Sequence, residues 1–154
     1  MELQSEPIAR TQMLLRRSVA EVFEAFVDPA ITSRFWFTRG SARLTEGEVV
    51  TWDWDMYGVS ATVAVKAVEH NRRILIEWPT PVEWVFTARS DDTTLVSIMA
   101  SGFAGSSDEQ VARAIDSMGG FSFLLAGCKA FLEHGIELNL VADHNPDAHV
   151  TGNA

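Results

Sequence analysis

The chain has 154 residues, a formal net charge of −9 and one cysteine, Cys128. The acidic balance argues against nucleic acid or an anionic membrane as partner, since both demand a basic face. The length suits one domain with no metal or disulfide staple, and a lone cysteine excludes an intramolecular disulfide. Basic runs go no further than Arg16–Arg17 and Arg72–Arg73. The N-terminal MELQSEPIAR lacks the apolar core of a secretory signal. No stretch reads as the roughly 20 apolar residues needed to cross a bilayer. These features together predict a cytoplasmic protein. Five Trp and nine Phe stand beside a single Tyr, a ring content suited to an apolar interior or cavity.

Taken in chain order, Ile8 to Leu15 read as a first strand, with Ile8, Met13 and Leu15 apolar. Ser18 and Glu21 have capping-box spacing and open a helix whose Val19, Val22, Phe23 and Phe26 form one stripe. Asp28–Pro29 ends that helix, and Pro29 starts a second short one reaching about Arg34. From Ser41 to Gly102 the period changes to two. Trp52, Trp54 and Met56 alternate with Asp53, Asp55 and Tyr57. Val59, Ala61, Val63, Val65 and Ala67 alternate with Ser60, Thr62 and Lys66. Ile74, Ile76 and Trp78 alternate with Leu75 and Glu77. After a turn at Pro79–Pro81, Val82, Trp84, Phe86 and Ala88 alternate with Glu83 and Arg89. In the last strand, Thr94 to Ser101, Val96, Ile98 and Ala100 are placed inward. Strands joined by short turns predict an antiparallel meander.

Ser107 and Gln110 repeat the capping-box spacing and open a long helix carrying Val111, Ile115, Met118, Leu125, Cys128 and Leu132 to His134, with Gly135 as its cap. Gly119–Gly120 predicts either a kink or a close approach to the sheet. Ile136 to Asp143 is amphipathic and suited to docking. The domain spans 1–146, and 147–154 reads as a disordered tail. Strands flanked by helices predict an α+β fold, with a curved antiparallel sheet around the long C-terminal helix and two short helices after the first strand.

This order resembles the helix-grip (Bet v 1-like, START-like, SRPBCC) superfamily, in the branch related to the C-terminal domain of the heat-shock protein 90 ATPase activator. The resemblance is carried by Ser18-Val-Ala-Glu-Val-Phe-Glu-Ala-Phe-Val-Asp-Pro29, Phe35-Trp36-Phe37, Trp78–Pro79, Ser101-Gly-Phe103, Gly120–Phe121 and Leu132-Glu-His-Gly135. It implies the helix-grip fold. For partners it implies a chaperone, a stress-response role or a homodimer, although the chain lacks the partner domain found in eukaryotic activators. Fold alone does not settle function.

The candidate site is the aromatic face: Trp52, Trp54, Met56, Trp78, Trp84 and Phe86 from the sheet, Met118 and Phe121 from the long helix, and Trp36 at the rim. That face is either a filled core or a pocket for a small hydrophobic or amphipathic ligand. A cyclase- or hydrolase-type enzyme acting on an aromatic or polyketide-like substrate is a second reading, with Tyr57 and Ser60 as its polar candidates. A chaperone-linked module using Glu48, Asp53 and Asp55 is a third. Arg34 and Arg39 could meet an acidic head group. Cys128 reads as a buried hydrophobe. His144, Asp147, His149 and Asp143 form too loose a set for a metal site, and no catalytic or cofactor motif is present.

Overall fold

The computed structural model describes residues 3–150. β1 (Ala9–Leu15) leads into α1 (Val19–Val27) and α2 (Pro29–Thr32). Six strands follow: β2 (Arg39–Gly40), β3 (Val49–Trp54), β4 (Val59–Glu69), β5 (Arg73–Glu77), β6 (Pro81–Ser90) and β7 (Thr93–Ala100). α3 (Ser107–His134) and the short α4 (Leu140–Asp143) complete the chain. The sheet order is β1-β7-β6-β5-β4-β3-β2. Thus β2 to β7 form the expected antiparallel meander, and β1 closes onto β7, with Ala9 opposite Ala100 and Leu15 opposite Thr94. Register shifts at Val65/Ala67 and Ala88/Ser90 mark bulges, which bend strands and increase their twist.

Alternation is borne out along most of the sheet. Val50, Trp52, Trp54, Val63, Val65, Ile74, Ile76, Val82, Trp84, Phe86, Val96, Ile98 and Ala100 all turn to one core. The exceptions lie near strand ends. Val59 and Ala88 are exposed, and Ile8 precedes β1 and is exposed too. Asp55–Tyr57 leave the strand as one 3₁₀ turn, so Met56 does not continue the Trp52–Trp54 row. Trp78 follows the end of β5 and begins the turn, its N–H donating to the Thr80 carbonyl at 2.9 Å.

The Asp28 carboxylate accepts from the Ala30 N–H at 3.0 Å, with Pro29 in the first turn of α2. Ser18 caps α1 by accepting from the Glu21 N–H at 3.3 Å. Its hydroxyl donates to the Glu21 carboxylate, so the reciprocal bond of a full box is not made. The complete box of α3 lies one residue earlier than expected. Ser106 accepts from the Glu109 N–H at 3.2 Å, and Glu109 accepts from the Ser106 N–H at 3.3 Å. Gln110 instead donates to the Gly105 carbonyl. Gly135 ends α3 at φ +67, a left-handed cap that glycine adopts without strain.

α3 is one unbroken helix of 28 residues, and by length and composition alone it could cross a membrane. Its C-terminal half is instead the core helix. Phe121, Leu124, Leu125 and Cys128 are buried in the single cluster. Lys129 donates to the Leu14 carbonyl at 2.9 Å, and Glu133 accepts from the Arg16 N–H at 3.0 Å. These side chains occupy backbone groups at the edge of β1 that would otherwise be open to pairing. The close approach belongs to Gly127 and not to Gly119–Gly120. A Cβ at Gly127 would sit 3.2 Å from the Phe35 carbonyl oxygen, whereas one at either of the others would meet nothing within 4 Å.

The C-terminal segment docks. Tyr57 donates its hydroxyl to the Val141 carbonyl, and the Val150 N–H donates to the Met56 carbonyl at 2.9 Å. Residues 147–150, expected as part of a disordered tail, therefore hold a defined place. The rest of that tail lies outside the described residues.

Candidate functional site

The aromatic face closes around Trp36. This residue follows α2, its backbone held by donation to the Thr32 carbonyl at 3.0 Å. Its ring lies 4.9 Å from Trp52, 5.6 Å from Trp54, 5.7 Å from Trp78, 6.1 Å from Trp84 and 6.3 Å from Phe121. Trp54 and Trp78 stack behind it at 5.4 Å with planes 9° apart. Trp36, expected at a rim, is partly buried and lines two clefts while also forming the hub of the ring cluster. A tryptophan in an irregular loop has no periodicity to reveal its ring contacts. Trp36 meets Trp54 and Trp78 edge-to-face, an arrangement favoured by the ring quadrupoles.

The other candidates separate into groups. Phe86 belongs to the far end, packed on Phe23 and Phe26 of α1 at 5.1 and 5.8 Å. Met56 lines a small cleft of about 190 Å³ beside residues 33–38 and the docked tail. Met118 is 42% exposed and does not join the core cluster. The buried stripe runs through Ala114, Phe121, Leu124, Leu125 and Cys128, while Ile115 lies off it and is 65% exposed.

Open space lies at the mouth, between the N-terminal half of α3 and the β5–β6 turn. One cleft of about 430 Å³ is lined by Trp78, Pro79, Thr80, Val82, Ala100, Gly102, Phe103, Ala104, Arg113, Asp116, Ser117 and Phe121. A second, of about 210 Å³, has Trp36, Gly120, Phe123, Val141 and His144 in its lining. Trp78, Asp116, Ser117 and Phe121 wall both. The floor is apolar and the α3 rim is polar.

Arg113, unremarked in the sequence, is the cation of this rim. Its one ion pair among the described residues is an exposed contact with Glu109 at 3.7 Å, a type worth little in water. Arg34 and Arg39 are engaged elsewhere. Arg34 bonds Glu137 at 3.1 Å over the Phe131 ring. Arg39 holds Asp55 with both guanidinium nitrogens, at 2.5 and 2.9 Å, and lies 3.5 Å from Asp53. A spacing signal for the rim was present: Arg113, Ser117, Gly120 and Phe121 recur at helical intervals. The apolar Ile115 and Met118 masked it.

The polar groups suggested for catalysis do not enter the aromatic interior. Ser60 is exposed and donates to Asp53. Tyr57 is tied to Val141, and burial, with the Asp143 charge, raises its pKa. Asp116, Ser117 and His144 share the smaller cleft, with no hydrogen bond joining them among the described residues. Cys128 is buried, and burial, aided by the Glu133 charge, pushes its thiol up. It is a packed side chain, not an activated nucleophile. Within the core, the Trp84 indole N–H has no hydrogen-bond partner among the described residues.

Residues 16–132 match the family described as Activator of Hsp90 ATPase homolog 1-like protein. The chain belongs to this family. Among curated proteins none matches. Solved structures share the helix-grip architecture of the Activator of Hsp90 ATPase homolog 1-like protein. The protein SSP2350 from Staphylococcus saprophyticus superposes with a TM-score of 0.75 at 26% identity, covering 85% of this chain and 95% of that one. DynU16, a protein in the dynemicin biosynthetic locus, gives 0.71 at 21% identity, over 86% of this chain and 49% of its own. The Aha1 dimer from Colwellia psychrerythraea gives 0.69 at 13% identity, over 83% and 97%.

Proposed function

We propose that this protein binds a small amphipathic molecule in the mouth cleft, its apolar body on Trp78, Val82, Phe103 and Phe121 and its acidic head toward Arg113. The observation that carries this reading is the cleft of about 430 Å³, within the roughly 300–1,000 Å³ usual for small-molecule sites. Its composition suits an amphiphile, with rings on the floor and a weakly engaged guanidinium at the rim. That DynU16 belongs to a biosynthetic locus supports small-molecule work on this scaffold. The site shares Trp78 and Phe121 with the aromatic face expected from the sequence.

The test uses 8-anilinonaphthalene-1-sulfonate, an aromatic body with an anionic head. Binding should enhance dye emission and quench tryptophan. Arg113→Ala should weaken it several-fold, as loss of a charge-assisted contact requires, and Ser117→Trp should abolish it by filling the cleft. Dye binding indifferent to Ser117→Trp would remove the reading.

Family membership supports a second reading, a chaperone-linked interaction module. Arg39 already engages Asp53 and Asp55, so their acidic face is a weak lure for such a partner. Stimulation of a chaperone's ATP turnover by this protein would establish that role.

A further inference from the structure

We infer that residues 137–150 are a releasable strap, and that its departure extends the mouth cleft along α3 into a groove for a longer amphiphile. The inference rests on the mouth-cleft reading and adds the regulation of that site. The three open spaces form a row. The mouth cleft and the cleft beside Phe123 share Trp78, Asp116, Ser117 and Phe121. The cleft beside Phe123 in turn shares Trp36 and Val141 with the one beside Met56. α3 contributes Arg113 at one end of the row and Gly127 at the other, about 21 Å apart along the helix axis. Val141 belongs to the strap, which therefore stands where the second space meets the third.

The strap is weakly held. It leaves α3 at Gly135, in the left-handed region at φ +67, and its one α-helix, α4, has four residues, too few to stand without support. Apolar cover comes from Val141 and from the His144 ring, 4.9 Å from that of Phe123. Its polar ties to the rest of the molecule among the described residues are the exposed Arg34–Glu137 pair, the Tyr57 hydroxyl on the Val141 carbonyl, and the Val150 N–H on the Met56 carbonyl. The ring nitrogens of His144 and His149 contact carbonyls of the strap itself, those of Leu140 and Ala142, so it can lift with its own bonds intact. Segments so lightly tied open first, and lids are drawn from them. Release also parts Glu137 from Arg34, which lines the far cleft, so the lengthened groove gains a second cation beside Arg113. The strap lies outside the residues 16–132 that match the family, so family membership does not account for it.

The test sets the anilinonaphthalene sulfonate, sized for the mouth, against its bis form, two such units joined and carrying two sulfonates, on the whole chain. Tyr57→Phe removes one tie of the strap. Val150→Pro removes another, since proline has no N–H, and His149 before it is already extended at ψ 135, as a residue preceding proline must be. The double variant should bind the bis dye about tenfold more tightly, the worth of the lost hydrogen bonds, and leave affinity for the single dye unchanged. On the wild type, saturating bis dye should speed amide exchange in residues 137–150, and the single dye should not. Unimproved bis-dye binding in the double variant, or slower exchange of those amides with the bis dye bound, would overturn the strap and leave the mouth cleft standing. Absence of single-dye binding to the wild type would instead remove the mouth cleft, and the strap with it. Should the double variant fail to fold, Val150→Pro alone and the wild-type exchange decide the matter.

Discussion

The two halves of α3 obey different rules although they form one continuous helix. From Phe121 onward the helix is structural. It buries Leu124, Leu125 and Cys128, approaches Phe35 through Gly127, and clamps the β1 edge with Lys129 and Glu133. Before Phe121 it buries only Ala114, exposes Ile115 and Met118, and offers Arg113, Asp116 and Ser117 to the cleft. Half of the helix stabilises the fold and half is left for recognition. This division shows that hydrophobic content along a helix does not locate its buried face.

The sharpest way to break this comparison is truncation on each side. Leu124 is fully buried, so Leu124→Ala should cost about 2–5 kcal/mol through lost burial and a residual cavity. Ile115 is 65% exposed, and Ile115→Ala should stay within about 0.5 kcal/mol. Chemical denaturation midpoints decide it, and equal losses would mean that the N-terminal half packs as tightly as the other.

The clamp at β1 yields a pH-dependent difference. Burial pushes the Glu133 carboxyl up, but the Arg16 N–H and the Lys129 ammonium more than offset it, holding the group below the usual carboxylate range. A carboxylate lowered by folding confers stability that is present above its unfolded pKa and lost as pH falls through the folded one. Glu133→Gln should therefore cost about 1–3 kcal/mol at neutral pH and flatten the acid limb of the stability profile. Parallel profiles for the two proteins would show that the clamp contributes nothing to acid lability.

The smallest effect separates two glycines. Gly120→Ala should stabilise by up to about 1 kcal/mol, the helix-propensity gain, because its Cβ meets nothing. Gly127→Ala has the same gain to make, but its Cβ must displace the Phe35 carbonyl. Thermal melting should rise for the first and not for the second.

Much of the architecture could be read before the structure. Pro29 after Asp28, alternation along most of the strands between Trp52 and Ile98, and Gly135 after a helical run are local signals, and the structure uses each of them. What escaped depends on tertiary position. Trp36 lies in a loop, so its place among six rings had no pattern to announce it. The true α3 stripe was obscured because Ile115 and Met118 are as apolar as the residues that are buried. Docking of Ile136 to Asp143 was legible as an amphipathic stretch, but the place of residues 147–150, where the Val150 N–H donates to the Met56 carbonyl, was not. The candidate site was thus legible as a set of rings and illegible as a space.

The pairing of the first strand with elements made last has a consequence during synthesis. β1 emerges from the ribosome long before β7 and α3, and until they arrive its two edges and apolar face lack their native cover. Native closure must await the final third of the polypeptide, a non-local arrangement of the kind that folds slowly and exposes nascent chains to association. A product stopped just before Phe121 would carry all seven strands yet lack the lock on the outer edge, and should accumulate as aggregate where the complete chain does not.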